Sequence, residues 1–521
     1  MENDFTNPLT YSVTAADNTT KDYAVSVTPE NLTHRTYIKA PNNSAGDRFG
    51  MSVAMSGDTL VVGAQYEDSD LTNIIHGNDL STANAGADDS GAVYVYVRDG
   101  STWTHQAYLK APNSLTGIRF GSMVAIEGDT IVVGAPYESS DTTSIIHGSD
   151  LGPPNTGSSE SGAVYVFVRN GTTWSHQAYL KAPNNDSSDW FGSTVVMSGD
   201  TVVVGAAGEN GGTTTIIHGS DLSSTDDTAA DSGAAYVFVR DGVTWSHQAY
   251  LKAPNNSAGI KFGRVAISGN TIASAASYET SDTTAIIHGS DLSSTNVAAS
   301  FCGAVYVFVR NGTVWSHEAY LKAPNGEADD YFGTSVAIVG DTIVATANSE
   351  SSDTTGIIHG SDLSSTNNGG NDYGAVYVFV RDGTTWSHQA YLKAPNPTNN
   401  DIFGNALFLV DNTFAVGVYA EDSDTTDIIQ GNDLSSTNNS GNDNGAVYVY
   451  ERNGSTWSHK AYLKSPNNSN SDYFNHVAIV GETIIVGADQ ESSDSTAIIH
   501  DNDFGADNEN NASSGAVYIF Q

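Results

Sequence analysis

Phe49-Gly50-Met51-Ser52-Val53-Ala54-Met55-Ser56-Gly57-Asp58-Thr59-Leu60-Val61-Val62-Gly63-Ala64 is the first of seven copies of one phrase. Its Phe-Gly returns at Phe120-Gly121, Phe191-Gly192, Phe262-Gly263, Phe332-Gly333 and Phe403-Gly404, and in altered form at Phe474-Asn475, at intervals of 71, 71, 71, 70, 71 and 71 residues. A glycine ahead of Ala-Val or Ala-Ala keeps the same beat at Gly91, Gly162, Gly233, Gly303, Gly374, Gly445 and Gly515. A fixed long period is the signature of a repeat fold. The copies occupy the chain from about residue 31 to its end.

Working outward, each unit reads as four short strands. In the first, Ser52-Val53-Ala54-Met55 turns through Gly57-Asp58 into Leu60-Val61-Val62-Gly63-Ala64, a strong hairpin signal. After a long polar loop come Ala92 to Val97, the turn Arg98-Asp99-Gly100, and Trp103 to Leu109. No window carries a helical apolar period. The second and third strands are apolar at nearly every position, so both of their faces need cover. Stacking four-stranded sheets around an axis supplies it, whereas an open solenoid needs atypical capping units, and none is seen. The last unit ends after three strands, at Gln521, while an orphan fourth strand, Leu32 to Pro41, precedes the first unit and matches Trp103 to Pro112. The expectation is an all-β, seven-bladed propeller with four strands per blade, its ring closed by residues 32–40 completing the last blade.

Phe-Gly, then V-A-[IM]-S-G-D-T-[IL]-V-V-G-A, then S-G-A-V-Y-V resembles the FG-GAP repeat of seven-bladed propellers, as in integrin α-chain heads and many bacterial surface proteins. The resemblance spans about residues 31–521. It is specific for fold and only weakly so for function. It implies an extracellular adhesion or recognition module. The chain departs from the family at the first hairpin, where a D-x-D-x-D-G calcium loop is common and this sequence has only short turns such as Gly57-Asp58 and Gly128-Asp129. That calcium site is therefore not carried over.

Composition narrows the partners. With 60 Asp+Glu against 20 Lys+Arg the formal charge is −40, a field that repels nucleic acid and anionic membranes and attracts cations. One cysteine, Cys302, excludes an internal disulfide, and no apolar run is long enough to span a membrane as a helix. Residues 1–30 fall outside the repeat and read as a hairpin, Pro8 to Asp17 and Thr19 to Val27, resembling the last strands of a bacterial immunoglobulin-like domain. The expectation is a monomeric module cut from a longer, multidomain cell-surface or extracellular chain, without direct membrane insertion.

The loop between the second and third strands, Gln65 to Ser90 in the first unit, holds acids at fixed places. A glutamate recurs at Glu67, Glu138, Glu209, Glu279, Glu350, Glu421 and Glu491. Three residues on stand Asp70, Asp141, Asp282, Asp353, Asp424 and Asp494, with Gly212 in unit three. An I-I-H-G-x-D motif supplies Asp79, Asp150, Asp221, Asp291, Asp362 and Asp433, and, in varied form, Asp503. Two residues before the Gly-Ala marker come Asp89, Glu160, Asp231, Asp372 and Asp443, with Phe301 and Ser513 in units four and seven. Three or four carboxylates per loop, with backbone carbonyls, match the oxygen appetite of Ca²⁺. Asx and Ser/Thr turns organising a long loop explain the same pattern. Ile74-Ile75 reads as an apolar plug seating the loop on its blade.

Two histidine series, from His76 and from His105, are too dispersed for one transition-metal site and read as hydrogen-bonded structural residues. Trp103, Trp174, Trp245, Trp315, Trp386 and Trp457 either cover the blades or, if exposed, form platforms for sugar rings. The residue before Phe-Gly breaks the monotony: Arg48, Arg119, Trp190, Lys261, Tyr331, Ile402 and Tyr473. It is expected to ring the mouth of the axial channel, on the face of the acidic loops. A scaffold needs uniformity and a ligand site needs asymmetry, so this ring is the candidate binding site. Units four and seven lose one residue after Phe, and Arg264 and His476 join the candidate set on the expectation that bulge loss re-aims them. A protein or glycan ligand is expected. A lectin using the tryptophans or the mouth, and a structural spacer, are the alternatives. Nearly every catalytic candidate recurs in every unit, so no enzyme is expected.

Overall fold

Each unit of the computed structural model builds its own antiparallel sheet, and the seven sheets stand around a common axis. The structure describes residues 9–14, 20–25, 31–500 and 510–521, apart from 82, 84, 153, 154, 224, 294, 296 and 365. Strands β1 (Leu9–Thr14) and β2 (Thr20–Val25) form the expected N-terminal hairpin. After β3 (His34–Ile38), the first blade comprises β4 (Ser52–Ser56), β5 (Thr59–Ala64), β6 (Ile75–His76), β7 (Ala92–Asp99) and β8 (Thr102–Leu109). Their spatial order is β4-β5-β7-β8-β6, innermost to outermost. Four strands were expected and five are present. The fifth is the Ile-His pair of the long loop, which doubles back to hydrogen-bond the outer strand, Ile75 opposite Tyr108 and His76 opposite Ala107.

The ring closes as expected. In the seventh sheet β3 lies between Ala516–Phe520 and Ile498–His500, with Tyr37 opposite Tyr518 and Ile38 opposite Val517. Thr33 and Gln521 exchange a pair of backbone hydrogen bonds at its end. Strand faces alternate between neighbouring blades: Val61 joins a core with Ile131 and Val133 of blade two, while Leu60 and Val62 join one with Ile485 and Ile519 of blade seven. This is why the second and third strands show no polar alternation.

The Phe-Gly and Gly-Ala glycines meet across this interface. A Cβ on Gly63 would lie 2.1 Å from the carbonyl oxygen of Gly121, and one on Gly91 2.0 Å from that of Phe120. Gly91 also holds a φ of +77°. Both positions require glycine because a neighbouring backbone occupies the space of the side chain.

Blade seven absorbs its missing residue in a bulge, and the inner strand of blade four pairs from Arg264–Ala275 onward without a register shift. In blade three the pairing jumps from Phe191–Ala206 to Thr194–Gly205; in blade seven it passes from Phe474–Ala488 to His476–Gly487. Beyond that point the registers coincide, Val195 with Val204 and Val477 with Val486. Arg264, opposite Ala275, and His476 thus keep the strand alternation of their counterparts. The expected change of facing does not follow; size and charge set them apart.

Candidate functional site

The loop glutamates sit inside the fold. Glu67 is 2 % exposed, and its carboxylate accepts hydrogen bonds from Lys110 Nζ (2.9 Å), Tyr108 OH (2.8 Å), Asn42 Nδ2 (3.1 Å) and the Ser69 amide (3.1 Å). Lys110 directs its other donors to Ser90 Oγ and the Gly91 carbonyl. The same pair recurs as Lys181–Glu138, Lys252–Glu209, Lys322–Glu279, Lys393–Glu350, Lys464–Glu421 and, across the closure, Lys39–Glu491. Burial pulls the Lys110 pKa down, and the Glu67 charge beside it works against that pull. A buried ion pair survives when every donor and acceptor is used, as here. The lysine was legible as the Leu-Lys-Ala-Pro of units one to five, which becomes Leu463-Lys464-Ser465-Pro466 in unit six, while the orphan strand's Ile38-Lys39-Ala40-Pro41 supplies the lysine for Glu491 of unit seven.

The other acid series stand apart from these glutamates. Asp79 accepts from the Ser81 amide in an exposed turn that holds its pKa below the usual carboxylate range, and Asp221, Asp291, Asp362 and Asp433 repeat the arrangement. Asp150 accepts from Gly152 in the same way. The amides of Asp141, Asp353 and Asp424 are held by Asn155, Asn367 and Asn438. Asp70 and Asp282 occupy equivalent loop positions, as does Asp494, which accepts from Asn510; Asp503 lies outside the described residues. Among the described residues no three His, Cys, Asp or Glu side chains gather closely enough to hold a metal. With both oxygens committed to protein donors, the buried glutamates are not free to ligate calcium.

Histidines and tryptophans form latches between blades. His76 Nε2 accepts from the Trp174 amide of the next blade at 2.9 Å, and His147, His218, His288 and His359 do the same for Trp245, Trp315, Trp386 and Trp457. Gln430 reaches the Leu32 carbonyl instead, at the closure, where leucine stands in the tryptophan's place. The outer strand bulges at Gln106, whose Oε1 accepts a hydrogen bond from Trp174 Nε1–H at 2.8 Å. Arg169 covers the Trp174 ring. The tryptophans are 1–3 % exposed and offer no platform for a sugar. His105 donates Nδ1–H to the Gly77 carbonyl, and burial pushes its pKa down to about 4.

What varies is the axial mouth. Inner strands of adjacent blades touch in a ring, and the residue entering each inner strand is half-buried. Arg48, Arg119, Trp190, Lys261, Tyr331, Ile402 and Tyr473 all hold a left-handed backbone, φ between 52° and 61°. Left-handed φ disfavours any residue but glycine, yet none of the seven is glycine. The last loop acid adjoins this ring: the amides of Arg119, Trp190, Lys261 and Ile402 donate to the carbonyls of Asp89, Glu160, Asp231 and Asp372. Asp443 holds the equivalent position with φ of 52°.

Side chains join these positions into an arc. Arg119 lies 5.0 Å from the Tyr66 ring and 4.3 Å from that of Tyr137; Arg48 lies 5.2 Å from Tyr66 and 3.6 Å from Asp489, which also holds His476 at 3.4 Å. Lys261 stands over Trp190, whose indole donates to Glu160. Phe301 stacks on Tyr331 with Tyr278 edge-on to both, and Tyr473 meets Tyr419. The structure thus brings together the variable ring and the last loop acids, and separates both from the buried glutamates.

An architecture of seven such blades defines the class, a β-propeller of repeated Phe-Gly units. The chain belongs to the FG-GAP repeat family, whose model matches residues 33–96, 103–167, 174–238 and 315–379. No curated protein matches the chain. Solved structures similar to it include Sqt1 from Chaetomium thermophilum (TM-score 0.40, 10% identity, 92% of this chain and 88% of that one). The periplasmic gluconolactonase PpgL of Pseudomonas aeruginosa gives 0.38 at 11% identity over 84% of this chain and 98% of that one. Likeness of this degree says nothing of a shared activity.

Proposed function

We propose that this propeller is an extracellular recognition module whose ligand seats over the axial mouth. One observation carries the reading. Seven equivalent left-handed positions carry arginine, lysine, tryptophan, tyrosine and isoleucine, while the buried Lys–Glu pairs repeat in every blade. Strain of roughly 1–3 kcal/mol per residue concentrates where a surface has work to do. The acidic loops shape this face through turns and ion pairs, and calcium has no part in the reading. A binding role is favoured over catalysis because the mouth gathers cations and rings without a nucleophile–base pair. A lectin reading now rests on the mouth alone.

The test is an array of saccharides and matrix proteins probed with the native protein and with Arg119→Ala/Trp190→Ala. A ligand lost in the variant, at an unchanged unfolding midpoint, supports the reading. Ligands bound equally by both place the site elsewhere, and none bound by either favours a structural spacer.

A further inference from the structure

The chain's few cations are distributed in a telling way. Of its 20 lysines and arginines, seven are the buried lysines of the Lys–Glu pairs. Six more are the arginines over the tryptophans. Lys460 pairs with Glu451 on the outside, Arg35 lies on the closing strand, and Lys21 belongs to the N-terminal hairpin. The remaining four, Arg48, Arg119, Lys261 and Arg264, all stand where inner strands begin, around the mouth.

Three of these four lack a counter-charge. Arg119, Lys261 and Arg264 form no ion pair among the described residues, although acids outnumber bases threefold in the chain. Arg264 is reached by solvent yet surrounded by protein atoms, as befits a side chain inside a channel, and the loss of water around it lowers its pKa. Three of the four also adjoin an aromatic ring: Arg48 and Arg119 at Tyr66, and Lys261 at Trp190. Uncompensated, partly desolvated cations attract an anion more strongly than cations in open water do. Rings beside them add flat apolar faces.

We infer that the mouth binds an acidic saccharide, its carboxylate or sulfate groups meeting these cations and its rings the neighbouring aromatic side chains. The inference rests on the recognition reading above and names its ligand class. A charge beside a ring face recurs at Arg48, Arg119 and Lys261, which is also the chemistry of a uronate or sulfated sugar unit. An acidic peptide offers the charge without the ring. The field of the whole molecule repels polyanions, so binding depends on the local arrangement at the mouth.

Titration calorimetry with polygalacturonate, dextran sulfate, neutral dextran and poly-aspartate tests this. Four proteins are compared: native, Arg119→Met, Lys261→Met, and Lys460→Met as a cation away from the mouth. The expected result is binding of one or both acidic polysaccharides, none of neutral dextran, and about tenfold weaker affinity for each mouth substitution. Lys460→Met stays at the native value, all midpoints of unfolding are retained, and affinity falls as salt rises. Which acidic polymer binds separates carboxylate from sulfate. Equal binding of neutral dextran that still weakens in the mouth variants overturns the anion inference and leaves the mouth reading standing. Binding of poly-aspartate alone overturns the saccharide class. Acidic polymers bound equally by native protein and mouth variants overturn both readings. No binding of any polymer overturns the inference.

Discussion

Lys110 shows what a single residue does in this fold. Its three donors are consumed by Glu67, Ser90 and Gly91 without access to water. Lys110→Met leaves the Glu67 carboxylate buried without its partner charge, which is expected to cost about 3–5 kcal/mol. The double variant Lys110→Met/Glu67→Gln removes both charges and should lose less than the single one. Urea unfolding midpoints of the three proteins check this, and additive losses would contradict a buried pair. Where the serine is replaced, the lysine finds other company: Lys393 lies 5.6 Å from the Tyr373 ring, and in blade four Cys302 is buried, its thiol pKa pushed up to about 11.

At the scale of the element, the two-residue strand β6 has a purpose out of proportion to its length. It pins a long polar loop to its own blade through Ile75 and passes His76 to the next blade. His147→Ala breaks the equivalent bond to the Trp245 amide. A net loss of about 1 kcal/mol is expected, since a neutral hydrogen bond contributes that order. Faster amide exchange should be confined to the loop of blade two and the outer strand of blade three. Exchange that quickens evenly around the ring would mean that these latches do not act locally. Because the glutamates serve ion pairs, EDTA is expected to leave the unfolding midpoint where it is; a fall restored by Ca²⁺ would assign a stabilising cation site to the aspartates of these loops.

The whole molecule answers to pH through two opposed sets of buried groups. Six histidines, among them His105, His176 and His247, have folded pKa values near 4 against 6.5 in the unfolded chain. The unfolded state binds their protons first, so their contribution is lost as pH falls from 6.5 towards 4. Burial raises Asp47 and Asp189 to about 8, and Asp330 and Asp401 to about 7, from 3.8. Here the folded state binds the proton, and stability is lost as pH rises from 3.8 towards 8. Between 4 and 6.5 the six histidines outweigh the four aspartates; above 6.5 only the aspartates act. Maximum stability is therefore expected near pH 6.5, falling on both sides. Asp189→Asn, which fixes the neutral form, should flatten the alkaline limb of midpoints measured from pH 4 to 9, and an unchanged limb would assign it to the charge of −40.

The seven-fold count, the sheet architecture and the ring closure all follow from the order of amino acids along the chain. Each rests on periodicity and on strands too apolar to leave a face in water. The same order also singled out the position before Phe-Gly, because in a repeat the varying residue is visible at once. Tertiary structure alone decided what the loop acids do. Glu67 and Lys110 stand 43 residues apart, and no local spacing announces that folding buries them together. The same holds for His76 and the Trp174 amide, 98 residues apart across a blade interface, and for the fifth strand, a pair of residues too short to carry a period. Pattern is local and survives in one dimension. Charge pairing across an interface depends on which blades the closed ring makes neighbours.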